Sequence, residues 1–251
     1  NIGHDFVAKA APDGYTLIIT NSSVFVSNPY LFKRMPFDPF NDFEPMGLVA
    51  SAGQVLIVHP SVPARTVAEL TALAKSRPGK LNFGSGGKGI QSHVSGEMYK
   101  AAVGIDMVHV PYKGTIQAVT DLVAGQVEMV FSDMVPAMPQ IRAGTVRALA
   151  VTSVNRSSAL PDVPTMIEAG VAGFSFFGWY GIVAPASMPR EIVERINAAI
   201  NRALDDAGIN RNLAERGIEK IGGSRERLGE HIRAEIAKYA KIVRDSGMQI
   251  D

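Results

Sequence analysis

Segments with strand-like and helix-like patterns alternate through the middle of this chain, and this alternation limits the possible folds more than any other feature. Four short apolar runs with strand character lie at residues 80–83, 107–111, 127–131 and 146–151. The stretches between them carry apolar residues at helical spacing. Strands that alternate with helices in this way predict a parallel sheet whose two faces are both covered.

The remainder of the chain does not by itself decide between one large domain and two lobes. Its 251 residues suffice for either arrangement. Apolar runs at 46–50 and 54–59 predict one long strand or two, with an interruption at Gly53. An aromatic-rich strand at 174–184 contains the only tryptophan, Trp179. Because the sequence has no low-complexity linker, two lobes would have to be joined by strands that cross between them.

Composition excludes several classes of protein. The 25 Lys and Arg residues nearly balance the 24 Asp and Glu residues, and a net charge of +1 provides no field that would attract nucleic acid. The absence of cysteine excludes disulfides, thiolate metal sites and a cysteine nucleophile. No apolar run reaches the roughly 18 residues of a transmembrane helix. The sequence therefore predicts a soluble globular protein without a nucleic-acid partner.

A glycine-rich stretch, residues 84–89, follows the first strand-like run and precedes a helix-like segment. A row of glycine amides at a helix N-terminus favours an anion. The glycine spacing matches the dinucleotide-binding fingerprint, and Asp106 lies about 20 residues downstream. However, Asp106 precedes the next strand instead of following it, and Lys88 is not followed by the Ser or Thr of a P-loop. The stretch thus predicts an anion site that does not serve a nucleotide.

Candidate catalytic residues are few. The chain has no Gly-x-Ser-x-Gly nucleophile elbow. His93 and Glu97 share a helical face but lack the second histidine of a His-Glu-x-x-His metal site, and we favour a surface pair with His93 hydrogen-bonded to the turn above it. His109 alternates with valines in a strand, which favours a structural role. The sequence predicts neither a catalytic group nor a metal site.

Polar loops follow several of the predicted strands. They are Ser22-Ser23, the stretch 84–89, Lys113-Gly114-Thr115 and the loop containing Asp133. In a parallel sheet such loops meet at one edge, and those that open helices present amide groups to an anion. Each group also has a structural explanation: a serine turn, a solvated surface lysine, or a helix N-cap in the case of Asp133.

A series of longer motifs covers essentially the whole chain in a fixed order. They are residues 11–17 (APDGYTL), 28–29 with 37–43 (NP and FDPFNDF), 83–89 (FGSGGKG) with His93, 110–114 (VPYKG), 143–151 (AGTVRALAV), 160–165 (LPDVPT) and 179–181 (WYG). Together these motifs closely resemble the tripartite tricarboxylate transporter substrate-binding proteins, also called Bug receptors. Each motif is weak alone, and their common order makes the resemblance specific.

The resemblance implies an α/β fold: a two-lobed periplasmic binding protein of type II-like form, with lobes joined by crossover strands. We assign residues 1–53 and 183–251 to the first lobe and residues 54–182 to the second. It also implies a periplasmic receptor that performs no catalysis and needs no cofactor. Such a receptor binds a small carboxylate, namely a di- or tricarboxylate, an amino acid or an aromatic acid, in the interlobe cleft and delivers it to a two-component membrane permease.

The resemblance further implies which residues bind the ligand. Mapped onto this sequence they are Ser22, Ser23, Ser85, Gly86, Gly87, Gly89, His93, Lys113, Gly114, Thr115 and Asp133. In such receptors backbone amides and ordered waters do much of the carboxylate binding, which agrees with the bare glycine stretch. The two serines belong to the first lobe and the other residues to the second.

The sequence departs from the family pattern at its start, where the usual first strand and its Gly-Gly loop are not found. We therefore expect an incomplete first lobe that is either distorted or completed by another chain in an unusual homo-oligomer. Two alternatives to the receptor stay open. One is an enzyme that uses the anion site on an acyl or phosphoryl substrate, and the other is a binding-impaired receptor with a sensing or structural role.

Overall fold

The computed structural model describes residues 2–31 and 34–246 as a mixed α/β fold. The strands in this part of the chain are β1 (Ile18–Asn21), β2 (Phe43–Val58), β3 (Asn82–Ser85), β4 (Val108–Pro111), β5 (Met129–Asp133), β6 (Arg147–Val151), β7 (Phe177–Pro185) and β8 (Ile218–Lys220). The helices are α1 (Ile2–Ala8), α2 (Asn28–Leu31), α3 (Val67–Ser76), α4 (Gln91–Val103), α5 (Thr115–Val123), α6 (Met134–Arg142), α7 (Arg190–Leu204), α8 (Ala207–Glu215) and α9 (Arg225–Ser246). A π-helical segment, Ser23–Ser27, precedes α2.

The strand β2 connects two sheets. Its first section, from Phe43 to Gly53, pairs antiparallel with β7 and partly with β8. Its second section, from Val55 to Val58, lies between β5 and β6. The first sheet therefore has the order β1-β7-β2-β8 and the second the order β6-β2-β5-β3-β4. The sequence predicted one long strand or two here, and the structure has a single strand of 16 residues that crosses between the sheets.

The direction of the strands differs in part from the predicted parallel sheet. The strand β3 is parallel to both β4 and β5, as predicted. The fourth predicted strand, β6, also runs in this direction, because β5 and β6 are both antiparallel to β2. The sheet is nevertheless mixed, because β2 enters it from the first sheet in the opposite direction. A strand that is shared by two sheets must pair correctly in both. The local alternation of helices and strands therefore does not predict the direction of such a strand.

Apolar side chains cover both faces of the second sheet. Along β2, Leu56 faces one core cluster together with Phe131. Val55 and Ile57 face the opposite cluster together with Leu122. All five side chains are fully buried, and each contributes about 1.5–3 kcal/mol through removal from water. The prediction that both faces are covered is confirmed.

The first sheet has its own core. Trp179 and Val183 of β7 pack there with Phe25 of the π-helical segment and Leu228 of α9. Trp179 is fully buried, and its ring lies tilted against Phe25 with centroids 6.2 Å apart. These contacts hold the π-helical segment and the start of α9 against the sheet.

Three helices begin at the carboxyl ends of neighbouring strands in the second sheet. The glycine-rich turn leads from β3 into α4, a short turn leads from β4 into α5, and α6 begins directly after β5. Because β3, β4 and β5 are parallel, the N-termini of these helices lie along one edge of the sheet. This edge faces the functional site.

Candidate functional site

A cavity of about 160 Å³ lies between the two sheets and receives residues from both. The first sheet and the segments beside it contribute Asn21, Ser22, Ser23, Gly178, Trp179 and Tyr180. The helix N-termini of the second sheet contribute Ile90, Gln91, Ser92, Thr115 and Asp133, and Gln54 of β2 lies between the two groups. The volume is below the roughly 300–1,000 Å³ of sites for drug-sized ligands, so the cavity suits a small molecule.

The helices α4, α5 and α6 direct uncapped N-termini toward this cavity. Their N-cap residues are Ile90, Gly114 and Asp133, and none of these makes a side-chain capping bond. In contrast, Thr66 caps α3 and Asp206 caps α8. The first N–H groups of an uncapped helix have no intrahelical acceptor and carry partial positive charge. The cavity therefore favours a negative charge, although no basic side chain is among its described lining residues.

A fixed carboxylate, that of Asp133, lies in the cavity wall. Gln54 and Asp133 are direct cross-strand partners in β2 and β5, and Gln54 Nε2 donates to Asp133 Oδ1 at 3.3 Å. Thr115 Oγ1 donates to the other carboxylate oxygen at 3.2 Å. Gln54 is itself fixed, because Ser95 Oγ donates to its Oε1 at 2.7 Å and its backbone N–H donates to Thr152 Oγ1 at 2.8 Å.

Tyr180 lies near this carboxylate. Its pKa is raised, first by burial and second by the negative charge of Asp133. The phenol is therefore neutral at neutral pH and offers a hydroxyl to the cavity that it lines.

One buried donor at the cavity, Gln91 Nε2, has no acceptor among the described residues. A buried donor left without a partner costs about 1–3 kcal/mol. Such groups in a native structure are normally satisfied by protein, water or ligand. The wall at Gln91 therefore favours a ligand or water that supplies an acceptor oxygen.

The predicted site residues divide into two sets. Four of them line the cavity: Ser22, Ser23, Thr115 and Asp133. Seven do not line it: Ser85, Gly86, Gly87, Gly89, His93, Lys113 and Gly114. Of these seven, Gly89 lines a neighbouring crevice of about 10 Å³ that also touches both serines.

The glycine amides of the turn have acceptors within the protein, and their role in ligand binding stays a prediction. The Gly86 amide donates to Ser92 Oγ at 3.0 Å, the Gly87 amide to Ser85 Oγ at 3.2 Å and the Gly89 amide to His93 Nδ1 at 3.0 Å. Each amide is therefore satisfied within the turn.

The glycines have conformational and packing roles in the turn. A Cβ at Gly86 would lie 2.6 Å from the backbone nitrogen of Thr115. Gly89 has a φ of 75°, in the left-handed region that favours glycine. The turn thus approaches the start of α5 closely, and glycine permits that approach.

Two histidines support the turn from behind. His93 and His109 stack with ring centroids 3.9 Å apart, and Phe83 stacks on His109 at 4.9 Å. Burial, followed by the neighbouring His93, lowers the pKa of His109 to about 4, and burial is also the largest cause that lowers the pKa of His93. The hydrogen bond between His93 and the turn, predicted from the sequence, is confirmed.

The contact between Ser85 and His109 has the atoms of a catalytic dyad but not its setting. Ser85 Oγ lies 2.6 Å from His109 Nε2, yet Ser85 is fully buried and does not line the cavity. Its hydroxyl donates to the Gly87 carbonyl at 3.0 Å. This geometry holds the turn in place and gives the hydroxyl no access to a substrate in the cavity.

Two further predicted positions have different roles from those expected. Lys113 is exposed, and its backbone N–H donates to Gln117 Oε1 at 3.1 Å at the start of α5. Asp133 occupies the N-cap position of α6, but its carboxylate does not cap the helix as the sequence favoured. It accepts from Gln54 and Thr115 instead, which directs it toward the cavity.

Several cavity residues were not among the predicted site residues, chiefly Gln54, Gln91, Ser92 and Tyr180. Gln54 is 1% exposed and directly precedes the apolar run from Val55 to Val58, and such a buried amide in a strand is a usable sign of a polar site. Gln91 and Ser92 directly follow the glycine-rich turn, at first-turn positions of the predicted helix. Tyr180 gave no comparable sign, because its position depends on the pairing of β7 with β1.

The described residues also limit other kinds of site. Within residues 2–31 and 34–246, no three His, Asp or Glu side chains come together as they would around a metal ion. Every helix in the same part of the chain is too short or too polar to cross a bilayer.

Comparison with known proteins identifies the family. The model of one family, the tripartite tricarboxylate transporter family receptor (TctC), matches residues 1–248. The chain belongs to this family. The resemblance drawn from the sequence motifs is thereby confirmed.

Relatives support the TctC assignment at moderate identity. The chain is 39% identical over 243 residues to a UPF0065 protein in the tcbD-tcbE intergenic region of Pseudomonas sp. (strain P51), covering 96% of this chain and 72% of the relative. It is 32% identical over 250 residues to Protein BugT of Bordetella pertussis, covering 99% and 77%.

Solved structures of TctC relatives have the same fold. R. palustris Rpa4515 with adipate matches with a TM-score of 0.92 and 34% identity over 100% of this chain and 84% of that chain. The periplasmic binding protein BugD matches with 0.87 and 31% over 100% and 84%. MatC of Rhodopseudomonas palustris with bound malate matches with 0.83 and 31% over 96% and 83%. The predicted two-lobed periplasmic-binding-protein fold is confirmed.

Proposed function

We propose that this TctC family receptor binds a small carboxylate in the cavity between its two sheets and delivers it to a two-component membrane permease from the periplasm. One observation carries the binding proposal. The buried Gln91 Nε2 has no acceptor within residues 2–31 and 34–246, and it lies at the uncapped start of α4, in the wall of the cavity. A carboxylate oxygen would satisfy this donor and the first-turn amides together.

The proposed binding mode joins the two sheets through the ligand. The α4 start supplies donors from the second sheet, and Ser22 and Ser23 supply hydroxyl groups from the first. The sheets already meet at this point, because a Cβ at Gly178 of β7 would lie 2.6 Å from Gln91 Oε1. In this proposal each sheet forms one lobe, so the bound expected between residues 182 and 183 moves to the start of β7 at Phe177. The ligand lies at the junction of the two lobes.

Relatives support the ligand class. Two of the solved relatives named above, R. palustris Rpa4515 and MatC, contain adipate and malate, which are both small carboxylates. The buried Ser85 hydroxyl, held by His109 and Gly87, supports a receptor over a hydrolase. A homo-oligomer stays a prediction, and light scattering of the purified protein tests it.

Titration calorimetry with malate and with adipate tests the proposal. The wild-type protein is expected to bind at least one of them, and Gln91→Ala is expected to weaken binding by about tenfold or more, because a hydrogen bond to a charged group is worth about 1.5–3 kcal/mol. Gln126→Ala serves as the control, since this glutamine is exposed just beyond the far end of α5. No heat of binding across a wider panel of carboxylates, from a protein with a cooperative melting transition, would contradict the proposal.

A further inference from the structure

We infer that the preferred ligand is a small carboxylate that also carries a hydroxyl or ammonium group, and that Asp133 is the residue that selects it. This inference rests on the proposed function and names the ligand class more narrowly. It follows from the arrangement of donors and acceptors in the cavity wall.

The carboxylate of Asp133 is held in place but not saturated. Gln54 Nε2 donates to Oδ1 at 3.3 Å, and Thr115 Oγ1 donates to Oδ2 at 3.2 Å. An ionised carboxylate offers about four lone-pair sites, so each oxygen can accept one more hydrogen bond. Asp133 lines the cavity and is exposed, which leaves these sites open to a ligand.

The cavity wall at the start of α4 has the opposite character. Gln91 contributes a buried amide donor without an acceptor among the described residues, and the N–H groups of Gln91 and Ser92 lie in the first turn of α4. The cavity thus presents donors at α4 and a charged acceptor at the start of α6. A complementary ligand has an anionic acceptor at one end and a hydrogen-bond donor at the other.

A plain dicarboxylate lacks that complementarity. Its second carboxylate would bring a negative charge toward Asp133 without adding a hydrogen-bond donor, and two neighbouring negative charges repel in a partly desolvated site. In malate or aspartate the hydroxyl or ammonium group beside that carboxylate would donate to Asp133 and offset the repulsion, the ammonium through a charge-assisted hydrogen bond. Asp133 therefore discriminates between ligands of equal length by the group they carry beside the carboxylate.

Three probes of the same carbon-chain length test the inference: succinate, L-malate and L-aspartate. They differ only in carrying hydrogen, hydroxyl or ammonium at one carbon. Titration calorimetry of the wild-type protein is expected to give at least tenfold tighter binding of malate or aspartate than of succinate. Asp133→Asn is expected to remove that preference and to improve succinate binding, since the amide has no charge to repel a carboxylate.

The control is Asp162→Asn, which removes an exposed carboxylate in the loop between β6 and β7 and should retain the wild-type order of affinities. Thermal melting of both variants establishes that they fold. Equal affinities for the three probes in the wild-type protein, or an unchanged order in folded Asp133→Asn, would overturn the inference while leaving the proposed function intact. Failure of every carboxylate to bind the wild-type protein would overturn both.

Discussion

Gly178 is the residue at which the first sheet directly adjoins the donor side chain of the second. A Cβ at this position would lie 2.6 Å from Gln91 Oε1 and 3.4 Å from its Nε2, and those atoms are the far end of a flexible side chain. We predict that Gly178→Ala displaces the Gln91 amide and weakens carboxylate binding by about tenfold, the loss of roughly one charged hydrogen bond. The melting temperature should change little, because alanine is tolerated in a strand and only a side chain moves.

Calorimetry and thermal melting of the same samples check this prediction. Gly229→Ala on α9 is the matched control, since its Cβ would meet only Arg233 Nη1 at 3.7 Å. That control should melt at an equal or higher temperature, because alanine is the better helix former, and should bind like the wild-type protein. Unchanged affinity in Gly178→Ala would show that Gln91 does not contact the ligand.

At the residue scale, the structure places some of the predicted site residues in the cavity wall and others away from it, and the difference has a physical reason. Ser22, Thr115 and Asp133 follow predicted strands, so their place at the sheet edge could be inferred from element order. Whether a glycine amide is free depends on nearby side chains such as Ser92 and His93, and their orientations are tertiary. The pattern of glycines cannot report those contacts.

The glycine-rich turn between β3 and α4 depends on two neutral histidines. The pKa of His109 is lowered to about 4 from an ordinary 6.5, chiefly by burial and next by His93. As pH falls below about 6.5, His109 becomes protonated in the unfolded chain but stays neutral in the folded chain until about pH 4. We predict that this contribution to the free energy of unfolding is full above pH 6.5 and is lost progressively down to about pH 4.

Urea unfolding at several pH values tests this prediction with His109→Gln. Glutamine can keep a polar partner for Ser85 but does not titrate, so the variant should be less stable at pH 7 and lose less stability on acidification. The difference between the two proteins isolates His109 from the carboxylates that also titrate in acid. Parallel curves for the two proteins from pH 7 to pH 4 would contradict the assigned role.

At the element scale, most of the second sheet was predictable because its signals are local. The apolar periodicity predicted α5 and its buried face at Ala118, Val119 and Leu122, and the structure agrees. The antiparallel insertion of β2 was not predictable, because its pairing with β5 and β6 joins segments far apart in the chain. The strand β2 continues through Gly53 because it is paired in one sheet before this residue and in the other sheet after it.

For the whole molecule, the cavity occupies the place where β2 passes from one sheet to the other. Gln54 of β2 lies there, fully buried, and its side chain donates to the carboxylate of Asp133. A ligand held by α4 and by Ser22 and Ser23, at the start of the π-helical segment, would bridge both sheets and stabilise their arrangement. At a hundredfold excess of ligand over Kd, the expected gain in stability is about 2.7 kcal/mol.

A crystal structure of the protein with its preferred carboxylate tests the central claim most directly. We predict that a carboxylate oxygen lies about 2.7–3.2 Å from Gln91 Nε2 and from a first-turn amide of α4, inside the cavity between the sheets. A carboxylate bound instead outside this cavity, with Gln91 Nε2 still lacking an acceptor, would contradict the account.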